Sequence, residues 1–287
     1  MVKMKKFLTV ISLASLLFCG GVSVKDSLLP VPTVQAKTKY AKAKIKLPAR
    51  YTKSALLKAY QGKPSAKFIK ASMKGMKENT FSRTNASESA KDNRTKINPN
   101  KLTKAQLQEL TSFSLRLINQ ARTQLGLPKW VYSSGAQKLA KDIAKEYAAN
   151  KRGINNGNHY VAGIVRACKK NGLNFDDNYV EDMAGYYEPR TKITMTTMKK
   201  NIYFALKQMI FGYTGPNEEA ISKKSYYREW EHAGDLFNTQ GSPHDGDYDY
   251  YGFSISKVGQ VYSLHFIGVP HFAVIDPKYN LTFQVHS

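Results

Sequence analysis

The order in which two hydrophobic periods appear constrains this chain more than any other feature. Apolar residues recur at helical spacing in four separate runs: Phe113, Leu117, Ile118 and Ala121; Ala136, Leu139, Ile143 and Tyr147; Val161, Ile164 and Val165; and Met198, Ile202, Leu206 and Met209. Only afterwards do residues 251–257 and 260–267 alternate. Both are rich in β-branched and aromatic side chains and meet through Val258-Gly259, which predicts a hairpin. Helices first and strands last, without β-α-β alternation, excludes a parallel doubly wound sheet and predicts an α+β fold. The 42% hydrophobic and 11% aromatic residues supply a core. Wholesale disorder and collagen-like or coiled-coil rods are therefore excluded.

Helix starts are written locally. Thr103 and Gln106 form a capping box, with Leu102 and Leu107 as a hydrophobic staple, and the helix stops before Gly126-Leu127-Pro128. Ser134 and Gln137 repeat the capping pattern before a second helix that ends near Gly153. A third is predicted over 160–170 and a fourth over 195–211. Cys168 falls on the apolar stripe of the third, which makes it a buried small hydrophobe rather than a reactive thiol.

The first residues address the chain outward. Lys3, Lys5 and Lys6 precede an apolar run from 7 to about 22, and Val34-Gln35-Ala36 offers the small residues of a cleavage site. Residues 1–36 thus read as a signal peptide, too short and too early for a membrane span. Lipidation at Cys19 is the alternative, disfavoured by the bulky Phe18 before it. With Cys19 removed, Cys168 is the sole cysteine and no internal disulfide forms. Export without cysteine fits a Gram-positive bacterium. The mature chain offers no transmembrane segment or sorting tail, so free secretion or non-covalent wall retention is the expectation.

Charge divides the remainder. Of the formal +23, thirteen charges lie in residues 37–77, which contain no acid, whereas residues 101–287 carry only +6. Leu47, Tyr51, Leu56, Tyr60, Phe68 and Met73 are interspersed, and two short helices are predicted, over 54–60 and 65–74, around Gly62-Lys63-Pro64. Residues 78–100 turn to Ser, Asn, Thr, Asp and Lys and read as a flexible linker before a domain spanning 101–287. The basic segment suits anionic cell-wall polymers; the competing reading is a solvated arm with no dedicated partner. No nucleic-acid reading motif accompanies the charge, so no specific nucleic acid is expected.

Three polar groupings carry candidate chemistry. His159, Glu181, Glu229 and His232 offer imidazole and carboxylate donors suited to zinc or a similar divalent ion. Glu229 and His232, three apart, would share one helical face, with Glu231 pointing elsewhere. Spacing alone is a weak signal, and a pair of polar histidines is more often structural. Asp245-Gly246-Asp247-Tyr248-Asp249 has alternating acids, but an EF-hand needs Gly at its sixth position and an acid at its twelfth, where Ser256 stands. It reads as an acidic loop entering the hairpin. No Gly-x-Ser-x-Gly elbow is present, and His265, inside a strand, reads as a satisfied core histidine. No catalytic residue is named.

Longer motifs bring a family into view. Phe113-Ser114-Leu115-Arg116-Leu117-Ile118-Asn119-Gln120-Ala121-Arg122 with Gly126-Leu127-Pro128-Lys129-Trp130, then His159, Glu181-Asp182-Met183-Ala184-Gly185, His232 with Leu236-Phe237-Asn238, and the closing strands follow one another in an order that resembles the CAP superfamily (cysteine-rich secretory proteins, antigen 5 and pathogenesis-related 1 proteins). The runs 226–238 and 247–270, and the basic 45–76 segment, resemble surface exclusion domain proteins of the PgrA type of lactobacilli and enterococci. The resemblance implies an α-β-α sandwich over roughly 105–270 with a small antiparallel sheet, a secreted or cell-surface location and, for some relatives, a role in excluding incoming conjugative plasmids. It also implies a divalent-cation cleft formed by His159, Glu181 and His232, with Glu229 as second carboxylate and Glu231, Glu218 and Glu219 as rivals. A surface ligand or partner for the cleft is implied but not named. A metal-dependent wall or peptide hydrolase using Glu181 or Glu229 as base is the alternative. The chain departs from the family where Asp182 replaces an Asn, where Ala233 replaces an Arg, and in lacking the eukaryotic disulfides.

Overall fold

The computed structural model describes residues 40–81 and 87–286. The expected leader 1–36, with Cys19, lies outside them. In chain order, helices α1 (Lys53–Tyr60), α2 (Ala66–Glu78) and α3 (Ala90–Arg94) lead to strand β1 (Lys96–Ile97). Helix α4 (Lys104–Gln124), β2 (Val131–Tyr132), α5 (Ser134–Ala149) and α6 (Val161–Lys170) follow. Then come β3 (Glu181–Tyr187), β4 (Ile193–Thr194), α7 (Met195–Phe211), α8 (Glu231–Leu236), the hairpin β5 (Asp249–Val258) and β6 (Val261–Pro270), and α9 (His271–Ile275).

Local signals hold closely. Both hydrogen bonds of the Thr103/Gln106 box form, and α7 occupies the predicted 195–211. The second helix is capped one residue earlier than the sequence suggests: Ser133 Oγ accepts from the Ala136 N–H at 3.1 Å. Gln137 is thereby freed from capping and is buried, where its oxygen accepts from Thr111 Oγ1 at 2.9 Å and its amide donates to Phe253 O at 2.7 Å. It ties α4 and α5 to the sheet.

The main sheet runs β2-β5-β6-β3, with β5, β6 and β3 antiparallel and β2 added parallel to β5. Alternation along β6 sends Tyr262, Leu264 and Phe266 into one layer with α4 and α7, and Ile267 and Val269 into the other with α5 and α6. The result is an α-β-α sandwich of the α+β class. Gly252 permits the close approach of α5, since a Cβ there would stand 2.3 Å from Ala136 O. Cys168 is fully buried in the α5–α6 layer, and burial pushes its thiol up to about 12.

The basic segment is not a free arm. Both of its helices form, the second running four residues past its predicted end, but Ile45, Tyr51, Leu56, Phe68 and Met76 are buried in the same core as α4 and α7. The Tyr51 ring lies 4.8 Å from Phe68 and 5.7 Å from Phe211, and its hydroxyl donates to Ile210 O. The chain before α1 is stitched to α4, with the Ile45 and Leu47 N–H groups donating to Gln120 and Gln124 at 3.1 and 2.9 Å.

The expected linker 78–100 is likewise corrected among its described residues. Residues 87–100 hold α3 and β1, and β1 pairs with β4. Its polar residues have distant partners: Asp92 meets the buried Lys199 Nζ at 2.8 Å, and Glu88 pairs with Arg116. Composition resembled a linker because those partners lie far along the chain.

Candidate functional site

Strand β3 is an edge strand, and its first two residues point to opposite faces. Glu181 enters the α5–α6 layer, where its side chain is fully buried. Its Oε2 accepts from Tyr147 Oη at 2.6 Å and contacts His159 Nδ1 at 2.8 Å, and its Oε1 contacts His265 Nδ1 at 2.6 Å. Tyr147 also accepts the Tyr160 N–H at 2.7 Å, which fixes the chain beside His159. Asp182 faces the other layer, where its Oδ1 lies 2.7 Å from His232 Nδ1.

Each histidine is thus held at Nδ1 by one of two consecutive carboxylates, one from each side of the sheet edge. The rings stand 6.1 Å apart between centroids and are about a quarter exposed. Their Nε2 atoms make no hydrogen bond to the described residues. Glu229 lies 4.0 Å from His232 Nε2.

The sequence reading placed these residues together but assigned some of them differently. Glu181 stands behind His159 rather than beside its outer nitrogen, so it orients that ring, and both of its oxygens already have partners. Glu229 precedes α8 instead of sharing a helical face with His232. It comes close by capping, its Oε1 accepting from the Glu231 and His232 N–H groups at 2.7 and 3.3 Å. Of the rival carboxylates, Glu218 pairs with Lys207 at 3.4 Å, and Glu219 is exposed beside it. Asp182, which sequence comparison marked only as a departure, is the second orienting carboxylate. His265 is a buried core histidine as read, yet it belongs to this network: Nε2 meets Ser256 Oγ at 2.8 Å. Asp245 accepts backbone N–H groups of its own loop, from Gln240, Gly241 and Ser242.

Electrostatics follow the geometry. Burial works to raise the Glu181 carboxyl, but the His159 and His265 hydrogen bonds hold it down at about 2. Burial opposes charge on His232, yet Glu229, Asp182 and Asp235 outweigh it and raise the ring to about 10. Burial pushes both Asp182 and Asp235 up. Asp182, His232 and Asp235 can each bring one ligand atom to within 4.8 Å of the others. Asp182 Oδ1 and His232 Nδ1 already meet each other, and Gln240 donates to Asp235.

By donor type, two imidazole Nε2 atoms on rings fixed through Nδ1 to carboxylates, with a third carboxylate alongside, would suit a divalent cation of the zinc type. Binding would have to displace the proton that His232 holds up to about pH 10. It would also have to draw the side chains closer, since among the described residues Asp182, His232 and Asp235 alone gather within 4.8 Å. His159, His232 and Glu229 would hold the ion, and Glu181 and Asp182 would orient the rings.

A solved structure, the CAP domain of enterococcal PrgA, superimposes with a TM-score of 0.62 at 24% identity, over 85% of this chain and 90% of that one. The fold is that of a CAP domain. Residues 101–287 make up about two-thirds of the chain, so a match over 85% includes part of the N-terminal segment. That agrees with the shared core. No family model matches the sequence, and no curated protein matches it. No described helix is long and apolar enough to cross a membrane. In this fold His159 and His232 come from opposite helical layers, and their rings stand 6.1 Å apart over the edge strand.

Proposed function

We propose that this chain is a secreted, envelope-associated CAP protein of a Gram-positive bacterium whose cleft binds a divalent cation through His159, His232 and Glu229. The supporting observation is the pair of carboxylate–histidine contacts on consecutive residues of β3, which leaves His159 Nε2 without a hydrogen bond among the described residues and His232 Nε2 with only its 4.0 Å contact to Glu229. A surface role in excluding conjugative plasmid transfer is supported by the likeness to PrgA, a surface exclusion protein. The exposed basic residues of the N-terminal segment would hold the protein to anionic wall polymers.

Zinc titration of metal-stripped mature protein by calorimetry tests the cleft. One ion should bind, and H159A or H232A should abolish binding. D182N should weaken it 10–100-fold, the usual cost of losing an orienting partner. Equal affinity in wild type and the H159A/H232A double variant rejects the metal reading. For exclusion, deleting the gene from recipient cells should raise conjugation frequency; an unchanged frequency rejects that role.

A further inference from the structure

The N-terminal segment sorts its residues by face. On α2 the buried positions are Phe68, Ala71, Ser72, Gly75 and Met76. Opposite them Lys67, Lys70, Lys74 and Lys77 recur every three or four residues, and all are exposed. Exposed Lys63 stands two residues before the Ser65 cap, at the N-terminal end of the helix that carries the row. Among the described residues, Lys74 has the row's one ion pair, a 3.6 Å contact with Glu78 in which both side chains are more than half exposed. Such a pair offsets little of the row's charge.

The row sits on a fixed backbone. A Cβ on Gly75 would meet the Phe211 ring at 2.2 Å, so α2 lies tight against α7, and Phe68 packs 5.5 Å from Trp230. Adjacent lysines of the row are about 5–6 Å apart at Cβ. From Lys67 to Lys77 they follow roughly 15 Å of helix axis. A compact anion could engage only one or two of them. A chain with one charge per six-bond repeat is better matched: peptide bond geometry, scaled from three bonds to six, makes such a repeat about 7 Å when extended.

We propose that Lys63, Lys67, Lys70, Lys74 and Lys77 form a rail that binds a linear phosphodiester polymer lengthwise, of the poly(glycerol phosphate) kind. This rests on the wall-polymer reading above and names the face and the polymer chemistry within it. Specificity comes from the alignment of the charges, beyond their number.

The test measures binding of the mature protein to immobilised poly(glycerol phosphate) across a salt series. Five contacts predict that log K falls with log[salt] at a slope of about −3.5. K67E/K70E/K74E should weaken binding at least ten-fold and flatten that slope by about two. The control K101E/K129E/K141E removes equal charge from exposed sites elsewhere and should stay within about three-fold of wild type. Equal losses in both variants would overturn the rail while leaving electrostatic attachment standing. No binding by wild type would overturn the wall-polymer reading itself. A charge-matched oligo(dT) arm separates the two sources of phosphodiester. Equal or weaker binding to oligo(dT) supports the assignment, whereas ten-fold tighter binding would reassign the rail to nucleic acid. All substituted lysines are exposed, so thermal unfolding of the variants should match wild type.

Discussion

Glu181 and Asp182 are neighbours in sequence yet serve different histidines, because consecutive residues of a strand face opposite sides. Strand periodicity would have revealed this had β3 been legible. It was not, since Glu-Asp-Met-Ala-Gly-Tyr-Tyr carries two acids and a glycine where a buried strand usually shows apolar residues. The burial of Glu181 has a consequence for acid stability. Its carboxyl titrates at about 2 when folded against an ordinary value of 4.5, so the folded state prefers the ionised form. That preference is fully present above about pH 4.5 and is lost as pH falls through 2, a contribution of about 3 kcal/mol. Urea unfolding at pH 7, 4 and 2.5 should show the decline, and E181Q should be less stable at pH 7 with a flatter acid limb. An E181Q curve parallel to wild type would show that the network does not stabilise the ionised carboxylate.

The helices were readable because their signals are local. Caps, staples and apolar stripes act within a turn or two, and the hairpin turn at Gly259, with φ of +61°, is equally self-contained. The capping slip at Ser133 has a local reason too: Ser133 and Ser134 are adjacent candidates, and the burial of Gln137 decides between them. What α1 and α2 pack against was not readable, because amphipathic helices show that they have an apolar face and not where it goes. F68A tests this packing. Phe68 is buried between Tyr51 and Trp230, so its loss should destabilise the whole domain by about 3–5 kcal/mol in one cooperative urea transition. A solvated arm would leave the midpoint unchanged.

At the scale of the whole molecule, the N-terminal segment completes the core of the CAP-like fold. A chain beginning at Lys101 would uncover the faces of α4 and α7 that hold Ile45, Tyr51 and Phe68, and would strip Lys199 of Asp92. It should lose its near-ultraviolet circular dichroism and its cooperative melting; a sharp transition would show that residues 101–287 fold alone. The sequence by itself determined the α+β class, the principal helices and the hairpin, because period and capping are written within short spans. Tertiary structure decided the rest: that the basic segment is a wall of the fold, that the polar stretch 87–100 is paired rather than free, and that Asp182 and His265 join the carboxylate–histidine network. Those outcomes depend on contacts between residues tens of positions apart, such as the 84 separating His265 from Glu181. Only the closing of the core brings such residues within hydrogen-bonding distance.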